Sequence, residues 1–525
     1  MSFTPWIKTG FLLCLLWGSK QVKAQLLSLE DLAKEKTYYS IDQAVRDADQ
    51  AKRLRVFRRA YSFPTAIPRM LQLQWLTMNH TLIESVPESI KNMQNLQVLE
   101  LRGNKLKRLP EAICALSNLK QLDLSKNHLT GLPQNFSELK QLQSLNIGQN
   151  KKITALPNQI FEQTSLKSLV IRQIKLEQLA PAIGQLKYLE VLDIYGNKLS
   201  KIPAEIGLLK QLKELNIGMN EIKNGQNIFD WLNQLKALEY LNIDALGLKN
   251  LGQNIAQFQN LKYLSAQLNN IKYLPAELYT MQQLKVLDVS SNLLDTLDQA
   301  IANLVNLEML NLERNEFDQL PDAFGALKKL KKLKLGVNRL SSIPQSITEL
   351  EALESLDIAN TGLRDLPKGF GQLKNLSFLN LAFNKYLNPS RAAKELVRLP
   401  LLKTLEMSQN GHTNFSDSWT QLKAIEDWDL RDNNFKNLPD SIGRLQTLKK
   451  LDLRYNQLKE VPESIGQLLN LEKLDLGYNA LRRLPESIKQ LKNLKLLKLE
   501  RNKISAEERL KIKNWLPNTK ILFEH

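Results

Sequence analysis

Nineteen times between Leu73 and Asn502 the chain repeats one phrase: leucine, two residues, leucine, one residue, leucine, two residues and, as a rule, asparagine. The set Leu96, Leu99, Leu101, Asn104, Leu106, Leu109, Pro110, Ile113 and Leu116 returns 23 residues later as Leu119, Leu122, Leu124, Asn127, Leu129, Leu132, Pro133, Phe136 and Leu139. From Leu73 to Leu494, with Ile425 standing in once, the first leucines are separated by eighteen steps, of which fifteen are 23 residues, one is 24 and two are 26. A unit this short cannot bury its apolar face alone, so successive units must stack and share one continuous core. Stacking also reconciles a length of 525 residues, too great for one ordinary globular core, with the lack of any Pro/Gly/Ser-rich linker.

Counting the first leucine as position 1, alternation places the leucines at positions 4 and 6 on one face of a short strand and the residue between them on the other. Parallel strands need crossovers. Here the return path carries phrases such as Ile343, Pro344, Ile347 and Leu350, whose spacing of three suits a short helix or 3-10 turn with proline in its first turn. Strands take less room than return segments, so the stack should curve with its strands inside. Asparagine at position 9 falls where the strand ends. Its amide can donate to one carbonyl and accept from a neighbouring backbone N–H, which predicts a structural role from Asn104 to Asn502.

Residues 1–24 follow another logic. Lys8 precedes the apolar run from Phe11 to Trp17, and Val22-Lys23-Ala24 offers a cleavage site, the order of a secretory signal peptide. Cleavage near Ala24 predicts an exported chain, secreted or periplasmic. It would remove Lys8, Lys20 and Lys23 and take the net charge from +18 to +15. One cysteine, Cys114, would remain beside core Ile113, which predicts a buried inert thiol and no internal disulfide. No later stretch has the ~18 uninterrupted apolar residues of a membrane span, so no transmembrane segment is expected. Residues 25–72 read as an N-terminal cap: Ser40 with Gln43 as a capping box, Ile41, Ala44, Val45 and Ala48 on one helical face, Leu54 with Val56 as a first strand, and a degenerate repeat through Phe63, Pro64, Ile67 and Met70. Residues 73–504 are the nineteen repeats. Residues 505–525 read as a C-terminal cap, with Ser505 and Glu508 opening a helix through Leu510 and Trp515 that stops near Pro517, and Ile521, Leu522 and Phe523 as a closing strand.

The text from Val461 to Leu481, VPESIGQLLNLEKLDLGYNAL, resembles the Ras-group leucine-rich repeats of bacterial proteins, plant intracellular proteins and scribble-like scaffolds, and the resemblance covers residues 73–504. The phrase from Leu516 to Phe523 is similar to caps on bacterial members. The resemblance implies an α/β leucine-rich repeat solenoid: a curved horseshoe, a parallel sheet on the concave face, and short helices or 3-10 turns on the convex face. It implies binding of a protein or ligand without naming one. Thr81, Ile174, Leu246 and Thr361 depart from the pattern by replacing asparagine, which leaves the local turn geometry open.

Chemistry is sparse. His80, His128, His412 and His525 have no paired ligand spacing, so no metal site is expected. No Gly-rich phosphate loop follows a strand and no triad is apparent, so neither a catalytic residue nor a cofactor is predicted. Binding through the concave face is the leading expectation. The residue between the core leucines is often acidic or amide, as at Glu100, Asp123, Asp288 and Asp452, which suits a solvated row. Outward aromatic and basic residues are the candidate contacts: Tyr195, Met219, Tyr240 and Tyr263 on four successive strands; Phe378 and Phe383 on a later one; Arg431, Arg454, Tyr455, Tyr478 and Arg501 near the rear. Lysines recur two residues before the first leucine, as at Lys140, Lys187 and Lys210, and directly after it, as at Lys213, Lys262 and Lys331, which predicts one positive edge. The 26-residue steps near Asn224-Gly225 and Asn388-Pro389 should bulge from the coil as loops. Three functions fit, in this order: an exported scaffold for a protein partner, a binder of anionic glycan or an envelope component through the lysine edge, and an intracellular signalling scaffold if residues 1–24 are retained. Nucleic acid is not expected for an exported chain.

Overall fold

The computed structural model describes residues 26–57, 59–222 and 228–524. The signal peptide reading, the Asn224-Gly225 pair and His525 lie outside them. The chain divides between Lys175 and Leu176 into two compact units built by one rule.

The first unit opens with a helix, Leu29–Lys34, whose N-cap Ser28 accepts from the Asp31 N–H, and a short strand, Thr37–Tyr38; neither was anticipated. The expected helix follows as Ile41–Arg46, with the Ser40 hydroxyl accepting from Gln43 N–H at 3.4 Å. Ala44 is buried, but Val45 is 43 % exposed, so the apolar helical face is narrower than the sequence suggested. Strands at Arg53–Arg55, Trp75–Thr77, Val98–Glu100, Gln121–Asp123, Ser144–Asn146 and Ser168–Val170 then add to Thr37–Tyr38 in chain order, all parallel. The second unit continues the pattern with fifteen strands from Val191–Asp193 to Lys520–Leu522, again parallel and in chain order. Its rear helix, Ala506–Trp515, is capped by Ser505, but Glu508 turns its carboxylate to the Leu484 N–H instead of closing a reciprocal box.

Register explains how so short a strand holds. Leu310 lies opposite Leu333, and Leu333 opposite Leu356, so each position-4 leucine meets its own kind in both neighbours. All three are buried completely. Positions 3 and 5 point the other way. Return segments are mostly 3-10 turns of three to five residues, such as Gln345–Glu349 with Ile347 inside. Pro344 sits one residue before that turn, at its N-cap with φ −63° and ψ 149°, where a missing N–H costs nothing. The second 26-residue step forms no loop bulge. Its extra residues complete an α-helix, Pro389–Leu396, capped by Asn388 and burying Ala392, Ala393 and Leu396. Near the first such step the described chain resumes as a helix at Ile228–Leu232.

The asparagines do what their amides permit. Asn315 donates to the carbonyls of Val289 in the preceding repeat and Leu312 in its own, and accepts from Leu294 N–H at 3.1 Å. The residue just before this place, position 8, has φ between +52° and +72° in all nineteen repeats, from His80 to Arg501. Left-handed backbone at ordinary residues is uncommon; here the ladder imposes it. The four repeats without asparagine resolve their turn by adding a second left-handed residue at position 10: Leu82, Lys175, Gly247 and Gly362. Thr81 and Thr361 take over half of the asparagine's work, each donating its hydroxyl to the carbonyl three residues back. The next repeat helps: the Asn104 oxygen accepts from both Thr81 and Ile83 N–H, and that of Asn384 from both Thr361 and Leu363.

Candidate binding surface

The residues at position 5 are more than a solvated row. The Asp288 carboxylate accepts from Ser290 N–H, Asp357 from Ala359, Asp429 from Arg431 and Asp452 from Arg454, each two residues ahead and at 3.0–3.1 Å. Short Asp and Asn side chains tie the strand end to the left-handed turn, an Asx-type closure. Glu100 is too long for that bond and accepts from Thr77 Oγ1 instead.

Position 3 is free of such duties. Tyr240 lies opposite Tyr263 in register, and their rings stack with centroids 4.3 Å apart and planes 12° apart. Burial pushes the Tyr263 phenol up to about 12, with the Tyr240 and Asp288 charges adding to it; burial also raises Tyr240, against hydrogen bonds from Asn242 and Tyr263. Both therefore stay neutral hydrogen-bonding phenols at physiological pH. The row continues through Val286 and Met309, each directly opposite its neighbour, so four successive strands show apolar side chains on the open face. The sequence reading missed Val286 and Met309 because both residue types read as core.

Tyr195 and Met219 stand elsewhere. They occupy positions 7 and 8, at the turn beyond the strand, and do not join the position-3 row of Tyr240 and Tyr263. Met219 is 46 % exposed, and the later turn residue Leu268, missed by the sequence reading, is 54 % exposed. Phe378 and Phe383 split in the same way, Phe378 on the strand and Phe383 on the left-handed turn. At the rear, Tyr455 and Tyr478 are both turn residues and stack at 4.1 Å, beside Arg501 and Asp432. Arg431 and Arg454 do not project freely. Their guanidinium Nε atoms lie 3.1 and 3.5 Å from Asp429 and Asp452, carboxylates of their own repeats.

Below them Glu406, Asp429, Asp452 and Asp475 fall on four registered strands and line a cleft of about 330 Å³ with Lys450 and Lys473. Burial raises the Asp452 carboxyl to about 6, reinforced by the neighbouring charges of Asp475 and Asp429 and opposed by Arg454. Burial likewise raises Asp429 and Glu406.

The position-2 half of the lysine edge is largely compensated. Lys213 pairs with Glu190, Lys262 with Glu239, Lys285 and Lys331 with Glu308, Lys403 and Lys449 with Glu426, and Lys495 with Glu472, at 2.7–3.5 Å. From Glu190 onward glutamate is interspersed with lysine at position 2, a signal present in the sequence that counting lysines alone overlooked. These contacts hold Glu239, Glu308, Glu426 and Glu472 below the usual carboxylate range, chiefly through the lysine hydrogen bonds.

Cys114 is buried, and burial pushes its thiol up to about 12, helped by Glu111 and Glu138, so a reactive thiolate is disfavoured. Buried His412 fills position 11, a place held by leucine in most repeats, packed against Trp419 and Phe435; burial pushes it down to about 4. Among the described residues no group of three or more His, Cys, Asp or Glu could hold a metal ion. No described helix is long and apolar enough to cross a membrane.

Parallel strands in constant register, 3-10 returns and an asparagine ladder define a repeat solenoid whose variable side chains stand on one sheet face. The chain belongs to the leucine-rich repeat family. The model of the leucine-rich repeat region matches residues 63–155, 297–427 and 420–514, more than half the sequence, and further repeat models match 259–317 and 188–209. No curated protein is similar enough in sequence to match it. Among solved structures, the Arabidopsis receptor kinase HAESA, in complex with the peptide hormone IDA and the co-receptor SERK1, is 26% identical with a TM-score of 0.58, covering 84% of this chain and 76% of that one. A leucine-rich repeat protein of Leptospira interrogans is 29% identical with a TM-score of 0.43, covering 93% of this chain and all of that one. The plant peptide hormone receptor RGFR1, in complex with RGF2, is 23% identical with a TM-score of 0.50 over 86% of this chain and 89% of that one.

Proposed function

We propose that this chain is an exported, non-catalytic scaffold that binds a protein partner on the open sheet face, centred on Tyr240 and Tyr263. The observation that carries the reading is the stacked tyrosine pair: two rigid, half-buried rings with polar tips, in register on adjacent strands and not needed to close any turn. Such side chains give contact area at low entropic cost. The complex of HAESA with a peptide hormone supports peptide or protein recognition on a related solenoid. The compensated position-2 edge gives the anionic-glycan reading less support.

Affinity capture from the native host with the intact chain, scored by mass spectrometry, tests the reading. The Tyr240→Ala/Tyr263→Ala double variant should lose the main captured protein while its circular dichroism stays unchanged. Undiminished capture would refute the assignment. Export is checked separately: the N-terminus of the mature protein from the native host should begin near Gln25, whereas a retained Met1 would place the chain among intracellular scaffolds.

A further inference from the structure

The position-3 row carries charge at both ends of its apolar centre. Glu214 lies opposite Tyr240 on one side, and Lys332 opposite Met309 on the other, so six registered strands read acid, Tyr240, Tyr263, Val286, Met309, base. Glu214 and Lys332 are both exposed. Among the described residues neither has an ion pair within 4.0 Å, in contrast to the position-2 lysines beside them, Lys213 and Lys331, which pair with Glu190 and Glu308. Lys334 shares a strand with Lys332 and points to the same face, so the basic end presents two ammonium groups. Position 5 is otherwise Asn, Ser or Asp through this stretch, from Asn216 to Asn311.

From this juxtaposition we infer that the sheet face selects an extended internal segment of a partner protein in which a cationic side chain and a carboxylate side chain flank a run of apolar residues. The cation sits over Glu214, the carboxylate over Lys332 and Lys334, and the apolar run crosses the tyrosine stack. Five inter-strand steps at ~4.8 Å make about 24 Å, which an extended chain rising ~3.3 Å per residue spans in about seven residues. The inference rests on the proposed function. It adds the ligand's charge order and length, and the apolar row alone does not dictate either. Charges at the rims of an interface set partner choice and register more than total affinity, so the selectivity should weaken as salt rises.

The test uses fluorescent nine-residue peptides with acetylated and amidated ends. Each has leucine and phenylalanine in the centre, and its two flanking positions carry lysine and glutamate, two lysines, two glutamates or two serines. Anisotropy against the full chain should rank the lysine/glutamate peptide first, about tenfold tighter than either like-charged peptide at low salt. The ranking should then move predictably: Lys332→Glu/Lys334→Glu should prefer two lysines, and Glu214→Lys should prefer two glutamates. A ranking unchanged by both variants overturns the inference. So does absence of binding by every peptide in the panel. If Tyr240→Ala/Tyr263→Ala abolishes partner capture while the charge variants leave the order of peptides unaltered, the proposed function stands and the charge order falls. If the tyrosine variant changes neither capture nor peptide binding, both fall.

Discussion

Two stretches of the second unit share a backbone and differ in what it displays. From Tyr240 to Met309 the position-3 row is apolar, and the position-5 row beside it is mostly neutral. From Asp427 to Lys473 the same positions hold four acids and two lysines, with Asp429, Asp452 and Asp475 facing one another across adjacent strands. Register, strand length and the left-handed turn at position 8 are the same in both, and so is the asparagine bonding except in the Tyr240 repeat, where Leu246 takes the place. Fold and display are thus separable in this molecule. The inward leucines and the ladder set a spacing, and the outward residues decide whether that spacing stacks rings or crowds carboxylates.

The comparison is broken most severely by attacking what the two stretches share. Leu287→Ala and Leu451→Ala remove equivalent buried leucines and should each cost about 2 to 5 kcal/mol in chemical denaturation; a large loss at one site only would show that the stretches are not built alike. His412→Leu comes next. Its folded pKa of about 4 lies below the ordinary histidine value of 6.5, so the unfolded chain binds the extra proton between these values and stability falls as pH drops through that window. The variant should exceed the parent by about 3 kcal/mol near pH 4, with a smaller gap at pH 7. A gap independent of pH would refute the buried neutral imidazole.

Asp452 has the opposite sign. Its folded pKa of about 6 lies above the ordinary aspartate value of 3.8, so the folded chain holds the extra proton between them and the ionised carboxylate destabilises above pH 6. Asp452→Asn keeps an oxygen for the Arg454 N–H. It should gain about 1 to 3 kcal/mol at pH 8 and nothing below pH 4, as read from urea midpoints at the two pH values. Asn315→Ala leaves buried carbonyls unbonded and should cost about 1 to 3 kcal/mol in thermal unfolding, the same as Asn456→Ala in the charged stretch. The smallest effect belongs to display. Tyr263→Ala should lower stability by only about 0.5 to 1.5 kcal/mol, the worth of a stacked pair.

The sequence makes the shared part plain because the core repeats its residue types: leucine at positions 1, 4 and 6 and asparagine at 9 need no structure to be seen. The position-8 conformation leaves no such trace. Lys126, Gln149, Met219, Tyr455 and Arg501 all adopt it, since the asparagine bonds and the neighbouring repeat impose the backbone and any outward side chain is tolerated. For the same reason Met219, Phe383, Tyr455, Tyr478 and Arg501 could be recognised as outward from sequence but not separated from strand residues. Tyr240 and Tyr263 were legible as partners because they share a position, whereas Val286 and Met309 were hidden by their chemistry. Tyrosine names itself as a contact residue on an open face; valine and methionine do so only once the register is known.

The central claim is that recognition lives in the apolar row and not in the backbone or the charged stretch. Capture of the native partner by two double variants, Tyr240→Ala/Tyr263→Ala and Asp427→Ala/Lys450→Ala, tests it most directly, with both confirmed folded by circular dichroism. Loss of the partner in the first and full retention in the second is the predicted result. Retention in the first with loss in the second would place recognition on the carboxylate rows and contradict the account.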